Sequence, residues 1–130
     1  MAGVSKGEVK TRVLLAEDDP QLRLFMHRAL GLLGYEVAVV ADGEEALARC
    51  ARGFFDVVLT DHQMPRMGGL ELVRGLRAAG FAGRVYVWSG FLTSEERADY
   101  EALLVDGVAG QPIALSALKE LLAGREARAA

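Results

Sequence analysis

Short apolar runs alternate along this chain with segments in which apolar residues recur every three or four positions. The first run, residues 13–16, is followed by such a stripe up to residue 33, and this spacing gives a helix one apolar face. The alternation repeats until residue 122. Continuous apolar strands separated by amphipathic helices are typical of a parallel sheet covered on both faces. The pattern predicts one α/β domain with five strands and five helices.

Capping residues indicate where the predicted helices begin. Asp19 stands just before a proline, an arrangement typical of a helix N-terminus. Asp42, with Glu45 three residues later, forms a capping-box pattern, and Thr93 or Ser94 is placed to cap the fourth helix. The capping residues therefore predict helix N-termini at the positions where the apolar stripes start.

The length fits a single compact domain. We predict that the domain covers residues 12–124, between a flexible lead-in over residues 1–11 and a C-terminal tail over residues 125–130. No internal repeat or low-complexity segment interrupts these 130 residues.

Composition and charge exclude several classes of protein. The chain is 52% hydrophobic and 25% charged, which is too apolar for a disordered protein. Its net charge of −3 argues against a nucleic-acid-binding surface, which is usually basic. One cysteine, Cys50, excludes an intramolecular disulfide and is typical of a reducing compartment. The first twelve residues lack the apolar core of a signal peptide, and no apolar run approaches the roughly 20 residues that span a bilayer. We expect a cytoplasmic protein that binds neither membrane nor nucleic acid.

Acidic residues follow the first and third predicted strands. Glu17 and Asp18 come directly after the first strand, and Asp61 ends the third. In an open α/β sheet, ligands bind beyond the carboxyl ends of the strands where the strand order reverses. For the order 2-1-3-4-5, this point lies between these two strands. Neighbouring carboxylates repel one another, and a hard divalent cation such as Mg²⁺ relieves that repulsion. The sequence therefore predicts a magnesium site, with Asp19 serving only as a cap.

Two polar residues follow the remaining strands at the same edge. Ser89 follows the apolar run 85–88, and Gln111 follows the run 108–110. A serine at a strand end is usually a turn residue. Beside the acids, however, the hydroxyl of Ser89 is placed to donate to a phosphoryl oxygen.

Three segments at this edge carry a specific motif. They are Leu15-Ala16-Glu17-Asp18-Asp19-Pro20, Asp61-His62-Gln63-Met64-Pro65-Arg66-Met67-Gly68-Gly69 and Trp88-Ser89. Together they resemble the receiver domains of two-component response regulators, and the resemblance covers residues 12–123. It implies the flavodoxin-like fold of chemotaxis regulators, from which the strand order 2-1-3-4-5 is taken. It also implies a phosphoacceptor that catalyses only its own phosphorylation and dephosphorylation, and not an enzyme with a separate substrate.

The resemblance implies a role for each residue at the edge. Asp61 would accept a phosphoryl group from a sensor histidine kinase, a phosphotransfer protein or a small phosphodonor. Asp18 and Asp61 would bind Mg²⁺ directly, and Glu17 would bind it through water. The backbone carbonyl of Gln63 would be a further ligand, and Ser89 would hold a phosphoryl oxygen after transfer. Output would reach a partner through the surface of the fourth helix, fifth strand and fifth helix.

Two positions depart from the family pattern. Gln111 stands where the family has a lysine, so it offers a neutral hydrogen bond instead of a charge. Val108 stands where many members have an aromatic residue that changes rotamer, and a β-branched side chain has few rotamers. No lysine elsewhere is placed to substitute, which leaves Arg66 and Arg84 as candidates to approach the site. We therefore expect intact acceptor chemistry with atypical switching.

Two aromatic residues flank the predicted acceptor site. His62 adjoins Asp61, and we expect its side chain to point outward. Phe91, two residues after Ser89, is a candidate to restrict water at the phosphoryl group, or else an ordinary loop residue.

Two other functions stay open at this point. A pseudo-receiver would bind partners independently of phosphorylation; Gln111 and Val108 favour it, whereas the intact acids oppose it. An aspartyl-phosphate phosphohydrolase would use Asp61 as its nucleophile. Such enzymes usually need a second acid two residues later, where this chain has Gln63.

Overall fold

Five strands alternate with five helices in the part of the chain that the structure, a computed structural model, describes. This part comprises residues 9–111 and 114–129, with side chains up to residue 123. The elements are β1 (Arg12–Ala16), α1 (Pro20–Leu32), β2 (Glu36–Val40), α2 (Gly43–Arg52), β3 (Val57–Asp61), α3 (Gly69–Ala78), β4 (Arg84–Ser89), α4 (Ser94–Ala102), β5 (Gly107–Gly110) and α5 (Leu115–Ala129). Residues 1–8 of the predicted lead-in and residue 130 of the predicted tail lie outside the described residues. The backbone of α5 runs on through residues 125–129 of that tail.

The strands form one parallel sheet in the order β2-β1-β3-β4-β5, as predicted. Ala16 at the end of β1 pairs with Thr60 in β3, and Asp61 pairs with Trp88 in β4. Because parallel strands all point the same way, the loops that follow β1, β3, β4 and β5 leave the sheet at the same edge. This register brings the predicted site residues together.

Each face of the sheet is covered by helices and has its own apolar core, as a sheet of continuous apolar strands requires. On the face under α1 and α5 the buried residues are Val13, Leu15, Met26, Ala29, Leu30, Val57, Leu59, Tyr86, Trp88, Leu118 and Leu122. On the face under α2, α3 and α4 they are Leu14, Ala16, Val40, Ala46, Phe55, Val58, Leu72, Val73, Leu76, Val85, Val87 and Tyr100. Burying one large apolar side chain contributes about 1.5–3 kcal/mol, so these two cores hold the strand ends in place.

The predicted capping residues begin the helices, with one difference of detail. Asp19 accepts two backbone N–H groups in the first turn of α1, at 2.9 and 3.3 Å. Asp42 accepts the N–H of Glu45 at 2.9 Å, but the carboxylate of Glu45 accepts from Ala41 instead of from the cap residue. The box predicted at α2 is therefore displaced by one residue. At α4 it is complete, with Thr93 as the cap.

Candidate functional site

Three acidic side chains meet at the carboxyl edge of the sheet. Glu17 and Asp18 follow β1 and Asp61 ends β3; one oxygen from each lies within 4.8 Å of the others. Glu17 is 1% exposed, Asp61 is partly buried and Asp18 is exposed. The structure therefore brings together the three acids that the sequence singled out.

The Glu17 carboxyl group carries the largest electrostatic perturbation of the three. Burial raises its pKa to about 7, and the charges of Asp61 and Asp18 act in the same direction. The backbone N–H of Asp19, which donates to Oε2 at 3.0 Å, opposes the shift. Oε1 is buried and has no hydrogen-bond partner among the described residues. An unpartnered carboxylate oxygen beside two other acids is placed to receive a cation.

The carboxylate of Asp61 is oriented by the backbone that follows it. Burial raises the pKa of Asp61, and the nearby charge of Asp18 also raises it. The backbone N–H groups of His62 and Gln63 oppose this shift, and that of His62 donates to Oδ1 at 2.7 Å. A fixed carboxylate at the rim of the sheet is suited to nucleophilic attack on an incoming group.

The donor set at this edge fits Mg²⁺. This ion prefers carboxylate and carbonyl oxygens and retains several waters, and the exposure of Asp18 leaves room for them. Gln63 is exposed in the loop after β3, and a role for its backbone carbonyl as a ligand stays a prediction.

Ser89 ends β4, and its hydroxyl group is already engaged within its own loop. It is 8% exposed; Oγ donates to the carbonyl of Phe91 at 3.1 Å and accepts the N–H of Phe91 at 3.3 Å. Phe91 is 75% exposed. The hydroxyl group must break one of these contacts before it can donate to a phosphoryl oxygen.

Gln111 lies beside Ser89 at the end of β5. Its backbone N–H donates to the carbonyl of Ser89 at 3.0 Å, and its Nε2 is buried without a partner among the described residues. Val108, the second residue of β5, is partly buried and packs against the core under α2, α3 and α4. The position of the missing lysine thus holds an amide with an unused donor.

The two arginines considered as substitutes for that lysine lie elsewhere. The guanidinium of Arg66 pairs with Asp42 at the N-terminus of α2, with Nε at 3.0 Å from Oδ2. Arg84 begins β4, at the opposite edge of the sheet, and donates to the carbonyl of Leu122 at 2.9 Å. Among the described contacts, neither candidate reaches the acids: Arg66 is held by Asp42, the cap of α2, and Arg84 by the backbone of α5.

Sequence reasoning missed a cation that does contact the loop of the acids. The guanidinium of Arg23, in the first turns of α1, donates to the backbone carbonyls of Glu17 at 2.9 Å and Asp18 at 3.4 Å. It fixes the loop that carries both side chains. An arginine one turn into the helix that follows the acids is the signal that would have pointed to it.

The expectation that His62 points outward is wrong. Its side chain is 11% exposed; Nδ1 lies 2.6 Å from the hydroxyl of Tyr100 and Nε2 lies 3.1 Å from the carboxylate of Glu96. Side chains alternate between the faces of a strand, and the residue after Asp61 turns toward the face that α4 covers.

The family model for the response regulator receiver domain matches residues 13–123. This chain belongs to that family. It is a receiver domain of two-component signalling, and receiver domains are in general phosphoacceptors that bind Mg²⁺ at an acidic pocket and take phosphate from histidine kinases.

Similar proteins include much longer sensors and regulators. The virulence sensor protein BvgS of Bordetella bronchiseptica is 35% identical over 97% of this chain, and the gliding motility regulatory protein of Myxococcus xanthus is 32% identical over 86%. The chain spans 11% and 15% of these two proteins.

Solved structures share the fold of this receiver domain. Chemotaxis protein CheY4 of Vibrio cholerae superposes with a TM-score of 0.81 at 28% identity, covering 88% of this chain and 97% of that one. A CheY-like receiver domain from Methanospirillum hungatei reaches 0.87 at 23% identity, covering 92% and 96%. Within the described residues, none of the helices combines the length and apolarity needed to cross a membrane.

Proposed function

We propose that this receiver domain accepts a phosphoryl group on Asp61, in a Mg²⁺-dependent reaction, from a sensor histidine kinase or a phosphotransfer protein. One observation carries the proposal: the Asp61 carboxylate, oriented by the N–H of His62 at 2.7 Å, shares a 4.8 Å cluster of oxygens with Glu17 and Asp18. A nucleophile fixed beside a cation site is what phosphoryl transfer requires.

The transfer makes one bond and breaks one. An Asp61 oxygen attacks the phosphorus of the donor's phosphohistidine, the phosphorus–nitrogen bond breaks, and its electron pair leaves with the imidazole nitrogen. Glu17, Asp18 and Asp61, with the carbonyl of Gln63, are the groups that would hold Mg²⁺. When bound there, the ion supplies positive charge next to the phosphoryl oxygens.

Two residues would bind the phosphoryl group after transfer: Ser89, which ends β4, and Gln111, which follows β5. Ser89 donates to a phosphoryl oxygen once its hydroxyl leaves the carbonyl of Phe91, which is 3.1 Å away. Gln111 offers its Nε2, which has no partner among the residues that the structure describes. A hydrogen bond from either donor to the charged phosphoryl group is worth about 1.5–3 kcal/mol, but glutamine lacks the additional Coulomb attraction of a lysine charge. With a neutral donor in place of lysine and with Val108 in β5, we infer atypical switching.

Output through the surface of α4, β5 and α5 belongs to the same proposal. Ser89 leads into the loop before α4, and Gln111 leads from β5 toward α5. A change at either residue therefore passes directly to that surface. A cytoplasmic location, favoured by the lone Cys50, completes the proposal.

Intact-mass measurement after incubation with a small phosphodonor tests this function. We expect a gain of one phosphoryl group that requires Mg²⁺, disappears in Asp61→Asn and persists in the matched control Asp99→Asn on α4. A parent protein that gains no mass at any Mg²⁺ concentration is instead a pseudo-receiver. Continuous release of phosphate from a phosphomonoester, in excess over the protein, would identify a phosphohydrolase.

A further inference from the structure

His62 connects the acceptor residue to helix α4 through both its backbone and its ring. The backbone N–H donates to Oδ1 of Asp61 at 2.7 Å. The ring lies between two side chains of α4, with Tyr100 2.6 Å from Nδ1 and Glu96 3.1 Å from Nε2. Every polar atom of the ring is therefore committed to one helix.

The chemistry of the two partners assigns the ring hydrogen. The backbone N–H of Thr93, with His62, holds the pKa of Glu96 below its ordinary value, so this carboxylate is ionised and only accepts. The nitrogen that faces it, Nε2, must carry the hydrogen. Burial raises the pKa of Tyr100, so its hydroxyl group keeps its proton beside Nδ1. Both ring nitrogens of His62 are thereby engaged by side chains of α4.

The two partners of His62, Glu96 and Tyr100, are each held in place on α4. Glu96 and Tyr100 are four residues apart, so they lie on one face of the helix. The other oxygen of Glu96 accepts the N–H of Thr93 at 2.9 Å and completes the capping box of α4. Tyr100 is 0% exposed, and its ring meets that of His62 edge to face at 5.5 Å between centroids. The ring of His62 therefore contacts α4 through both of its nitrogens and through its edge.

On the acceptor side, the packing is equally close. The carbonyl of His62 accepts the N–H of Gly69 at 2.8 Å. A Cβ built on Gly69 would lie 2.9 Å from the hydroxyl oxygen of Tyr100, so that hydroxyl group touches the loop between Asp61 and α3. Within the described part of the chain, Tyr100 on α4 thus brings an aromatic side chain to the acceptor loop, whereas Val108 supplies none from β5.

We propose that His62 is a positioning residue that fixes the Asp61 carboxylate relative to α4 and transmits changes in its charge to that helix. The inference rests on the proposed acceptor role of Asp61. A cation or a phosphoryl group at Asp61 withdraws charge from the oxygen that accepts the His62 N–H. The peptide of His62 then shifts, and the ring carries the shift to Glu96 and Tyr100.

The ring nitrogens of His62 give a direct spectroscopic test of the geometry. In nitrogen-15 spectra of the parent protein we expect a directly bonded hydrogen on Nε2 of His62, the nitrogen that faces Glu96. Tyr100→Phe removes only the hydroxyl group that contacts Nδ1, so it is expected to shift the Nδ1 resonance and leave the fold intact. A Nδ1 resonance that is the same in Tyr100→Phe as in the parent overturns the proposal.

Amide chemical shifts along α4 test the transmission. Mg²⁺ alone is added first and a small phosphodonor second, and the shift changes of residues 94–102 are compared between parent and His62→Phe, which keeps a ring without its nitrogens. We expect the changes in α4 to fall by at least about half in the variant, while those in residues 63–68 remain. Glu95→Gln, on the exposed side of the same first turn, is the matched control for Glu96→Gln and should behave as the parent does.

The outcomes separate this inference from the proposed function. A parent that takes up no phosphoryl group contradicts the proposed function, and the Mg²⁺ titration still decides the role of His62. Changes in α4 that are the same in His62→Phe as in the parent overturn the inference, as does a parent in which neither Mg²⁺ nor the phosphodonor shifts α4. If His62→Phe does not fold, the comparison is made with Tyr100→Phe and Glu96→Gln, each of which breaks one of the two contacts.

Discussion

Gly69 lies directly against the backbone of Asp61. A Cβ at residue 69 would overlap the carbonyl oxygen of Asp61 and would also lie 2.9 Å from the Tyr100 hydroxyl oxygen. The first residue of α3 therefore approaches the acceptor only because it has no side chain. This close approach brings the N-terminus of α3 to the end of β3 and closes the loop that carries the site.

We expect Gly69→Ala to destabilise the domain by about 1–3 kcal/mol, the usual cost of overpacking a site that cannot relax. Gly31→Ala is the matched control, because a Cβ there meets nothing within 4 Å and the residue is helical, in the last turn of α1. The control should be more stable than the parent by about 0.5–1 kcal/mol, the helix preference of alanine over glycine. Urea unfolding measures both, and equal stability of Gly69→Ala and parent would contradict the close packing.

Asp61→Asn should stabilise the metal-free domain and weaken its response to Mg²⁺. Asparagine retains an oxygen that can accept the His62 N–H, whereas the charge that repels Glu17 and Asp18 is gone. Relief of such repulsion is worth about 1 kcal/mol. Thermal unfolding in EDTA and in Mg²⁺ checks both effects, with Glu101→Gln on α4 as the charge-matched control. A variant that Mg²⁺ stabilises as much as the parent would exclude Asp61 as a ligand.

The stability of the metal-free domain should rise as the pH falls from 8 toward 5. The folded-state pKa of Glu17 is raised to about 7, above its ordinary value of 4.5. A raised pKa means that the folded state binds the proton more tightly than the unfolded chain. The resulting stabilisation is complete below the unfolded pKa and is lost as the pH rises through about 7.

Urea unfolding in EDTA at several pH values measures this dependence, for which we expect about 1–3 kcal/mol across the range. Glu17→Gln should flatten it, since the glutamine does not titrate. Saturating Mg²⁺ should oppose the trend, because the ion binds the ionised carboxylates and releases protons. A metal-free stability that rises toward pH 5 as steeply in Glu17→Gln as in the parent would assign the dependence to other groups.

Asp42 should be the residue of the β2–α2 loop whose replacement costs the most stability. Its side chain is buried, accepts the N–H of Glu45 at 2.9 Å and pairs with Arg66, whose φ of 65° lies in the left-handed region. Asp42→Ala removes both contacts, and loss of the cap alone costs about 1 kcal/mol. Asp42→Asn keeps the capping oxygen and should cost less. The urea midpoints of the two variants measure this difference. An equal loss of stability in both variants would show that the cap contributes nothing.

Gln111→Lys should weaken Mg²⁺ binding by at least about threefold, since it places a positive charge beside the cation site. Gln111→Met, with similar length and no charge, is the matched control and should bind as the parent does. The fluorescence of Trp88 reports binding: it is the only tryptophan, is 1% exposed and pairs with Asp61 in the sheet. Tighter binding by the lysine variant would show that Gln111 lies too far from the ion to affect it.

The order of the elements and the convergence of the acids could be predicted from the sequence. Strand and helix periods are local properties, and Asp19, Asp42 and Thr93 begin helices where the pattern requires. Once the strands are parallel, the residues that follow them must share one edge. Asp18 and Asp61 therefore meet, together with Glu17, although they are 43 residues apart in the sequence. The resemblance carried by the motif at residues 61–69 predicted the family and, from it, the strand order.

Only the tertiary structure decided which partners the side chains at that edge find. His62 and Tyr100 are 38 residues apart, and their contact depends on how α4 packs over β3, which no local period encodes. The same holds for Ser89, whose hydroxyl group is engaged by Phe91, and for Arg23, which reaches back to the acids from α1. A sequence pattern specifies the face on which a side chain lies; the packing of distant elements determines what that side chain touches.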